Sequence, residues 1–230
     1  LDGKVGDSDL GITMSKSSTA AHPTAAAATD GSVGKLFSRA GLSIAKAAPS
    51  TMGTLTATGF MRGGKAVEAA ETIGTAEMAA FWRAYRDGVQ ERGKAKVGDK
   101  TVLDVLDPIA VSLEAAAAGG KPLDAALAEA SDVAAQALEA TKLLVAQHGK
   151  AAAFQEKSRG LQDAGATVAV FIVDTMAKFV KASGRPPALA DTNDAGACQC
   201  SGVLRLSEGS ADVAASVAGG RPASPSAAGM

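Results

Sequence analysis

Aromatic residues make up only 3% of this 230-residue chain, with a single Trp and a single Tyr. Its core must therefore be built from Ala, Val, Leu and Met. Side chains this small let helices approach closely, whereas sheets favour β-branched and aromatic residues, so the expected fold class is all-α. Cysteine is nearly absent: Cys198 and Cys200 lie one residue apart in the C-terminal stretch. The pair lacks the second ligand pair of a zinc site and describes no disulfide framework, and reads as reduced, incidental thiols. Charge of one sign is not in excess either. With 23 basic and 24 acidic residues the formal net charge is −1, leaving no basic field for a nucleic-acid backbone. No apolar run reaches transmembrane length and no charged-then-apolar signal segment opens the chain, so a cytoplasmic protein with no nucleic-acid or membrane partner is expected. The chain starts at Leu1 without a methionine, which points to a fragment or a trimmed gene model.

What the chain does have is concentrated at its start. Leu1-Asp2-Gly3-Lys4-Val5-Gly6-Asp7-Ser8-Asp9-Leu10-Gly11 places Asp2, Asp7 and Asp9 at i, i+5 and i+7 among glycines. Carboxylate oxygens suit Mg²⁺ or Ca²⁺, and Gly6 and Gly11 allow the backbone to fold the ligands inward. A solvated acidic turn accounts for the same letters. An EF-hand does not: its twelfth position would be Ser18, where a bidentate Glu is needed. Gly59-Phe60-Met61-Arg62-Gly63-Gly64-Lys65-Ala66 mimics a phosphate-cradling P-loop. It lacks the Ser/Thr that holds Mg²⁺ and follows a Thr-rich run instead of a buried strand, so it is rejected. Gly53, Ala57 and Gly59 point instead to a closely packed helix, or to backbone bared to a ligand.

Periodicity predicts seven helices. The first runs from Leu10 to about Ala28 and ends or kinks at His22-Pro23, with His22 at the surface. Ser32 caps a second, carrying Val33, Leu36, Phe37, Ala40, Leu42 and Ile44 and ended by Pro49. A third spans the Gly53–Ala70 region. Thr75 opens a fourth, whose Met78, Phe81, Trp82, Tyr85 and Val89 form a core stripe. Asp99 caps a fifth from Lys100, with Val102, Leu103, Leu106, Ile109, Ala110 and Leu113 inward, Pro108 as a kink and Gly119-Gly120 as its end. The longest follows Pro122 and reaches about His148, with Gly149 as C-cap and the helix dipole favouring protonated His148. The last runs from about Ala164 to Ala182 with Val168, Phe171, Ile172, Met176 and Phe179 buried. Beyond it, Ala, Gly, Ser and Pro dominate. Residues 1–182 are expected to form the domain and 183–230 a low-complexity, mostly disordered tail, with a short helix around Ser210 to Val217.

Four blocks, in order, carry a family resemblance. They are Leu1 to Met14, then Pro49-Ser50-Thr51-Met52-Gly53-Thr54-Leu55, then Arg92-Gly93-Lys94-Ala95-Lys96-Val97-Gly98-Asp99-Lys100-Thr101-Val102-Leu103-Asp104, then Gly149-Lys150-Ala151 through Gln162-Asp163-Ala164-Gly165-Ala166-Thr167. Over residues of about 1–182 the chain resembles the L subunit of dihydroxyacetone kinase, the nucleotide-binding DAK2 or DhaL-type domain. The resemblance implies an antiparallel eight-helix barrel whose first helix, ending just before the acidic loop, is missing from this chain. It implies that Asp2, Asp7 and Asp9 hold two Mg²⁺ ions bridging the phosphates of ATP or ADP. Leu10, Gly11, Ile12 and Thr13 fall beside the nucleotide, with Gly11 and Thr13 at phosphate-contacting positions, and Thr51 and Met52 lie in a second loop. Gly93 and Val102 match the adenine pocket, which Lys150, Asp163, Ala164 and Gly165 close.

The departures are specific. Leu10, Thr13, Met52, Lys150, Leu161 and Ala164 stand where the family pattern has His, Asn, Ser, Arg, His and Pro, and lysine supplies charge without the planar fork of arginine. The implied function is a nucleotide-binding kinase subunit that donates a phosphoryl group to dihydroxyacetone or a related small ketose. The ketose would be held on a separate K-type subunit, without which the chain is inactive. Two other readings stand beside it: a subunit whose ADP stays bound and is rephosphorylated by a phosphotransferase protein, and a non-catalytic helical protein.

Overall fold

Polar side chains set the helix boundaries. The computed structural model describes residues 2–6, 8–27, 31–183 and 204–205. In chain order these form α1 (Asp2–Val5), α2 (Leu10–Ala26), α3 (Val33–Ala47), α4 (Thr51–Ala66), β1 (Thr72–Ile73), α5 (Thr75–Gly93), α6 (Leu103–Ala118), α7 (Leu123–Ala140), α8 (Ala164–Ser183) and β2 (Leu204–Arg205). Ser32 Oγ accepts the Lys35 amide at 3.2 Å to open α3, and Ser50 Oγ accepts that of Gly53 at 3.1 Å to open α4. Glu77 reaches back to the Gly74 amide at 2.9 Å ahead of α5. Asp163 Oδ2 accepts from Ala166 at 2.7 Å to start α8. Each bond satisfies a donor that the first helical turn leaves open.

The fold is all-α, as expected. From α2 to α8 each long helix packs on its successor, and α8 returns to meet α2 only slightly. Fully buried Phe81, Trp82, Leu106, Ile109, Leu113, Leu123 and Leu127 place the core at the α5–α6–α7 side. A ring cluster joins α5 to α3 and α4: Phe37 and Phe81 ring centres lie 4.5 Å apart, those of Phe60 and Tyr85 5.6 Å, and those of Trp82 and Tyr85 5.3 Å. The expected stripe of Met78, Phe81, Trp82, Tyr85 and Val89 is buried throughout. Beyond α8, Leu204–Arg205 pair antiparallel with Thr72–Ile73. The rest of 184–230, including the expected helix around Ser210 to Val217, lies outside the described residues.

Several expectations are corrected. Helix α2 runs through Pro23 to Ala26, because proline withholds only its own donor and the Ala27 amide still closes the last turn on Pro23 O at 3.0 Å. Helix α6 begins at Leu103, not Lys100, and Asp99 is not its cap. Lys100 adopts φ +59, which breaks the helical run, and Asp104 turns back onto the Thr101 amide at 2.7 Å. Helix α7 stops at Ala140, well short of His148. Thr141, fully buried, turns its hydroxyl onto Leu138 O at 2.6 Å and accepts the Asp163 amide at 3.0 Å, which redirects the chain. Gly149 is accordingly no C-cap; with φ +66 it precedes a 3₁₀ stretch, Lys150–Ser158. On α8 the buried face is Ala166, Ala169 and Val173, with Val168, while Phe171 and Phe179 are 64% and 59% exposed. They lie about two turns apart on one exposed side of the helix. Leu42 is likewise exposed on α3.

Helices α3, α4 and α5 come together through glycine. A Cβ at Gly34 would stand 2.4 Å from Val67 O, and one at Gly64 would stand 2.5 Å from Gly34 O. At Gly59 it would sit 2.3 Å from the Tyr85 ring. The near-P-loop glycines are thus packing positions on a helix, in keeping with the rejection of a phosphate loop. Gly59→Ala should cost about 1–3 kcal/mol by overpacking against a fully enclosed ring. Gly31→Ala, where a Cβ meets nothing within 4 Å, should cost much less. Urea denaturation of both variants at one pH checks the contrast, and equal losses would refute the close-approach argument.

Candidate functional site

The direction of the helices decides where a site can form. Successive long helices alternate in direction, so the starts of α2, α4, α6 and α8 share one end. A cavity of about 670 Å³ opens there, lined by Leu10, Thr51, Leu103 and Ala164 at those four starts. Each start brings the positive end of a helix dipole to the rim, which favours anions.

On the α2 side the lining includes Asp2, Gly6, Asp9, Leu10 and Thr13. Asp2 Oδ2 accepts the Leu10 amide at 3.1 Å. A Cβ at Gly6 would stand 1.9 Å from Asp2 Oδ1, so only glycine leaves room for that carboxylate. Gly11 and Ile12 are not in the lining, and Ile12 is 60% exposed. Leu10 and Thr13 are i and i+3 on one helix face, and the two residues between them turn outward. Asp7, the third expected metal ligand, lies outside the described residues. Among the described residues no three His, Cys, Asp or Glu side chains form a metal cage. Asp2 and Asp9 bring hard oxygen donors to one cavity, a donor set that fits Mg²⁺.

The other expected residues arrive from five further segments. Thr51 and Met52 come from the start of α4, Gly93 from the end of α5, Val102 from the turn before α6, Lys150 from the loop after α7, and Asp163, Ala164 and Gly165 from the start of α8; all line the cavity. Met52 packs against Gly165, where a Cβ would lie 3.3 Å from its sulfur.

Sequence reasoning missed Ser50, Lys100, Thr101, His148 and Gln162 in the same wall. Ser50, directly after Pro49, carried a readable helix-cap signal. His148 was hidden by the overlong α7: it stands in a loop, with Nε2 2.9 Å from Asp99 Oδ2. Lys100 is only 2% exposed, and its ammonium meets three backbone carbonyls. Burial lowers its pKa, with the Asp163 carboxylate opposing. Asp163 is itself pushed up to about 6, first by burial and also by Asp104, while the Ala166 amide, Lys100 and the Gly165 amide pull the other way.

Comparison with known proteins now decides the lineage. The DAK2 domain model matches residues 4–178. The chain belongs to the DAK2 domain family. Within it the domain is of the DhaL type. It is 32% identical over 181 residues to the ADP-binding subunit DhaL of the PEP-dependent dihydroxyacetone kinase of Escherichia coli (strain K12), covering 79% of this chain and 86% of that one. It is 33% identical over 185 residues to the D-erythrulose kinase of Mycolicibacterium smegmatis, covering 80% of this chain but only 32% of that longer one. The crystal structure of the dihydroxyacetone kinase of C. freundii in its native form matches with a TM-score of 0.56 and 23% identity. That match covers 77% of this chain and 30% of that one and supports the all-α fold alone. Among the described residues no helix is long and apolar enough to cross a membrane.

The raised Asp163 pKa makes a stability prediction. A carboxyl that binds its proton more tightly when folded contributes most below its ordinary value of 3.8, and that contribution is lost as pH rises through about 6. Asp163→Asn mimics the protonated form and still offers an oxygen to the Ala166 amide. Relative to wild type, the variant should gain on the order of 2 kcal/mol between pH 4 and pH 7.5. Paired denaturation curves at the two pH values measure the gain, and a pH-independent difference would contradict the burial argument.

Proposed function

We propose that this DAK2 domain is the nucleotide-binding subunit of a kinase for dihydroxyacetone or a related small ketose. It would hold Mg²⁺ with ATP or ADP and present the terminal phosphoryl group to a ketose bound on a separate K-type subunit. The observation that carries the reading is the convergence of four helix starts and two carboxylates, Asp2 and Asp9, on one cavity of about 670 Å³. Helix starts suit phosphate oxygens, and the carboxylates at the same rim repel those oxygens unless a cation lies between. Asp2 and Asp9, with Asp7, would be the ligands; the cation's chemistry is neutralisation of phosphate charge. The start of α2, with Leu10 and Thr13 on its cavity face, would turn its positive end toward the phosphates. Met52, Val102 and Gly93 offer an apolar slot for the base, and Lys150, Asp163, Ala164 and Gly165 close it. Phosphoryl transfer asks of the protein mainly position and charge, which this wall supplies without a nucleophile.

Nucleotide and Mg²⁺ should therefore bind together or hardly at all. In titration calorimetry Asp9→Ala should abolish Mg²⁺-dependent ADP binding, whereas Asp124→Ala, at an exposed position on α7, should bind as wild type. Equal ADP affinity in excess chelator would refute the metal assignment.

A second reading has its own support. The E. coli subunit, of which this chain covers 86%, is named PEP-dependent and ADP-binding. A subunit of that kind would keep its ADP and be recharged in place by a phosphotransferase protein. Alone, the purified chain should phosphorylate no dihydroxyacetone from MgATP, because an undocked ketose gains none of the proximity that in-line transfer requires. Adding a K-type subunit with bulk MgATP should produce turnover under the first reading. Under the second, turnover should need a phosphotransferase chain fed by phosphoenolpyruvate. Phosphorylation of the sugar by the isolated chain would overturn both.

A further inference from the structure

Lys100 is a cavity-wall cation whose every ammonium donor is engaged within the fold. Its Nζ donates to Ser158 O at 2.6 Å, Leu161 O at 2.8 Å and Leu144 O at 3.2 Å. An ammonium has three protons, and three carbonyls take them. With its side chain enclosed at 2% exposure, Lys100 cannot also serve as a phosphate ligand. A buried charge is retained at a desolvation cost, and an apolar residue would fill the space without it, so the ammonium's contribution lies in what it ties together.

The carbonyls come from both ends of one excursion of the chain. Leu144 lies where it leaves the body after α7, and Ser158 and Leu161 lie where it returns toward α8. Lys100 thus closes the 144–161 loop at its base. The neighbouring residue adds a second tie, with the Gln147 amide on Asp99 O at 3.0 Å and His148 Nε2 against Asp99 Oδ2 at 2.9 Å. The turn that carries both residues is braced by Asp104, which accepts the amides of Gly98 at 2.6 Å and Thr101 at 2.7 Å. Lys100 is held at φ +59, a left-handed conformation unusual outside glycine, which aims its side chain into the loop base. Inside the loop Ser158 Oγ accepts the Ala146 amide at 3.0 Å. The part so anchored, His148 to Ala151, faces the cavity.

We propose that Lys100 is a positioning residue for nucleotide retention. By gathering the carbonyls of Leu144, Ser158 and Leu161 it fixes the 144–161 loop, and with it Lys150, against the bound nucleotide. This rests on the nucleotide-binding reading above. Loosening the loop leaves the approach of nucleotide unchanged and speeds its departure, since affinity changes within one site fall mainly on the off-rate.

Stopped-flow displacement of a fluorescent ADP analogue in Mg²⁺ tests it with four proteins: wild type, Lys100→Met, Lys150→Ala and the double variant. Lys100→Met should raise the off-rate roughly tenfold at an almost unchanged on-rate. Because Lys100 acts through the loop that carries Lys150, the double variant should fall well short of the product of the single effects, a coupling that a general loss of stability would not produce. If Lys100→Met does not fold, Ser158→Ala, which leaves Lys100 in place and removes the loop's tie to Ala146, should also speed release. Wild-type off-rates in the folded Lys100 or Ser158 variant, or multiplicative effects in the double, overturn the proposal while the nucleotide reading stands. A wild-type chain that binds no Mg–ADP overturns that reading and the proposal with it.

Discussion

The structure depends on the antiparallel alternation of its helices. An isolated helix start offers a fraction of a charge, and water satisfies its open amides. Four starts brought to one rim concentrate that field around a volume into which solvent-exposed anions can enter. The odd-numbered helices end at the same rim, so their negative ends would offset the field if left bare. Two devices blunt this. The segment after α5 turns away with Lys94 at φ +59, and the chain after α7 leaves as a loop that brings the cationic Lys150 to the cavity instead of bare carbonyls.

Holding seven long helices in such an arrangement with so few aromatics requires short distances between backbones. Gly34, Gly41, Gly59, Gly63 and Gly64 make α3, α4 and α5 a closely apposed layer in which a methyl group would collide with a neighbour. The large rings stand in the same layer: Gly59 and Gly63 leave room for Tyr85 and Phe81, which also meet Phe37 of α3 and Phe60 of α4, while α6 and α7 contribute Leu and Ala to the rest of the core. Packing there combines close backbone approach with bulk, each glycine making the space that a ring or a neighbouring carbonyl fills. The cavity opens at the end of this bundle, among loops fixed by hydrogen bonds.

Fold class, core stripe and most helix starts were legible because each rests on a local signal: heptad-like spacing from Met78 to Val89, Ser32 before α3, and Gly119-Gly120 after α6. Elements that depend on tertiary contacts were not. The end of α7 is set by Thr141, whose hydroxyl bonds back onto the helix and whose oxygen also receives the Asp163 amide from more than twenty residues on. Nothing between Thr141 and His148 signals a stop. Phe171 and Phe179 read as core because they are large and apolar, yet the buried positions of α8 are taken by Ala166, Val168, Ala169 and Val173. In the candidate site, the motif blocks led to residues that contact the cavity through side chains or helix starts. Lys100 went unread as a site residue because its contribution runs through the carbonyls of other residues, which leave no trace in composition.

The same distinction bears on the substituted positions in the wall. Leu161 stands where the family pattern has His, but the atom it gives to the loop base is its carbonyl, bound by Lys100 at 2.8 Å. Any side chain keeps that bond, so this substitution leaves the loop's anchorage intact and alters only what its side chain meets. Ala164 in place of Pro likewise keeps the cap: Asp163 accepts the amide of Ala166, three residues further on, and position 164 contributes only to the first helical turn. Met52 in place of Ser is different in kind. Its sulfur lies where a side chain at Gly165 would crowd it, so the bulk that replaces a hydroxyl is accommodated by a neighbour with no side chain at all. Hydrogen-bonding capacity is exchanged there for apolar contact at the floor of the cavity. The wall of this chain thus keeps its two described carboxylates while being less polar between them, and under the proposed function phosphate recognition would fall on helix dipoles and cations instead of hydroxyl and imidazole groups.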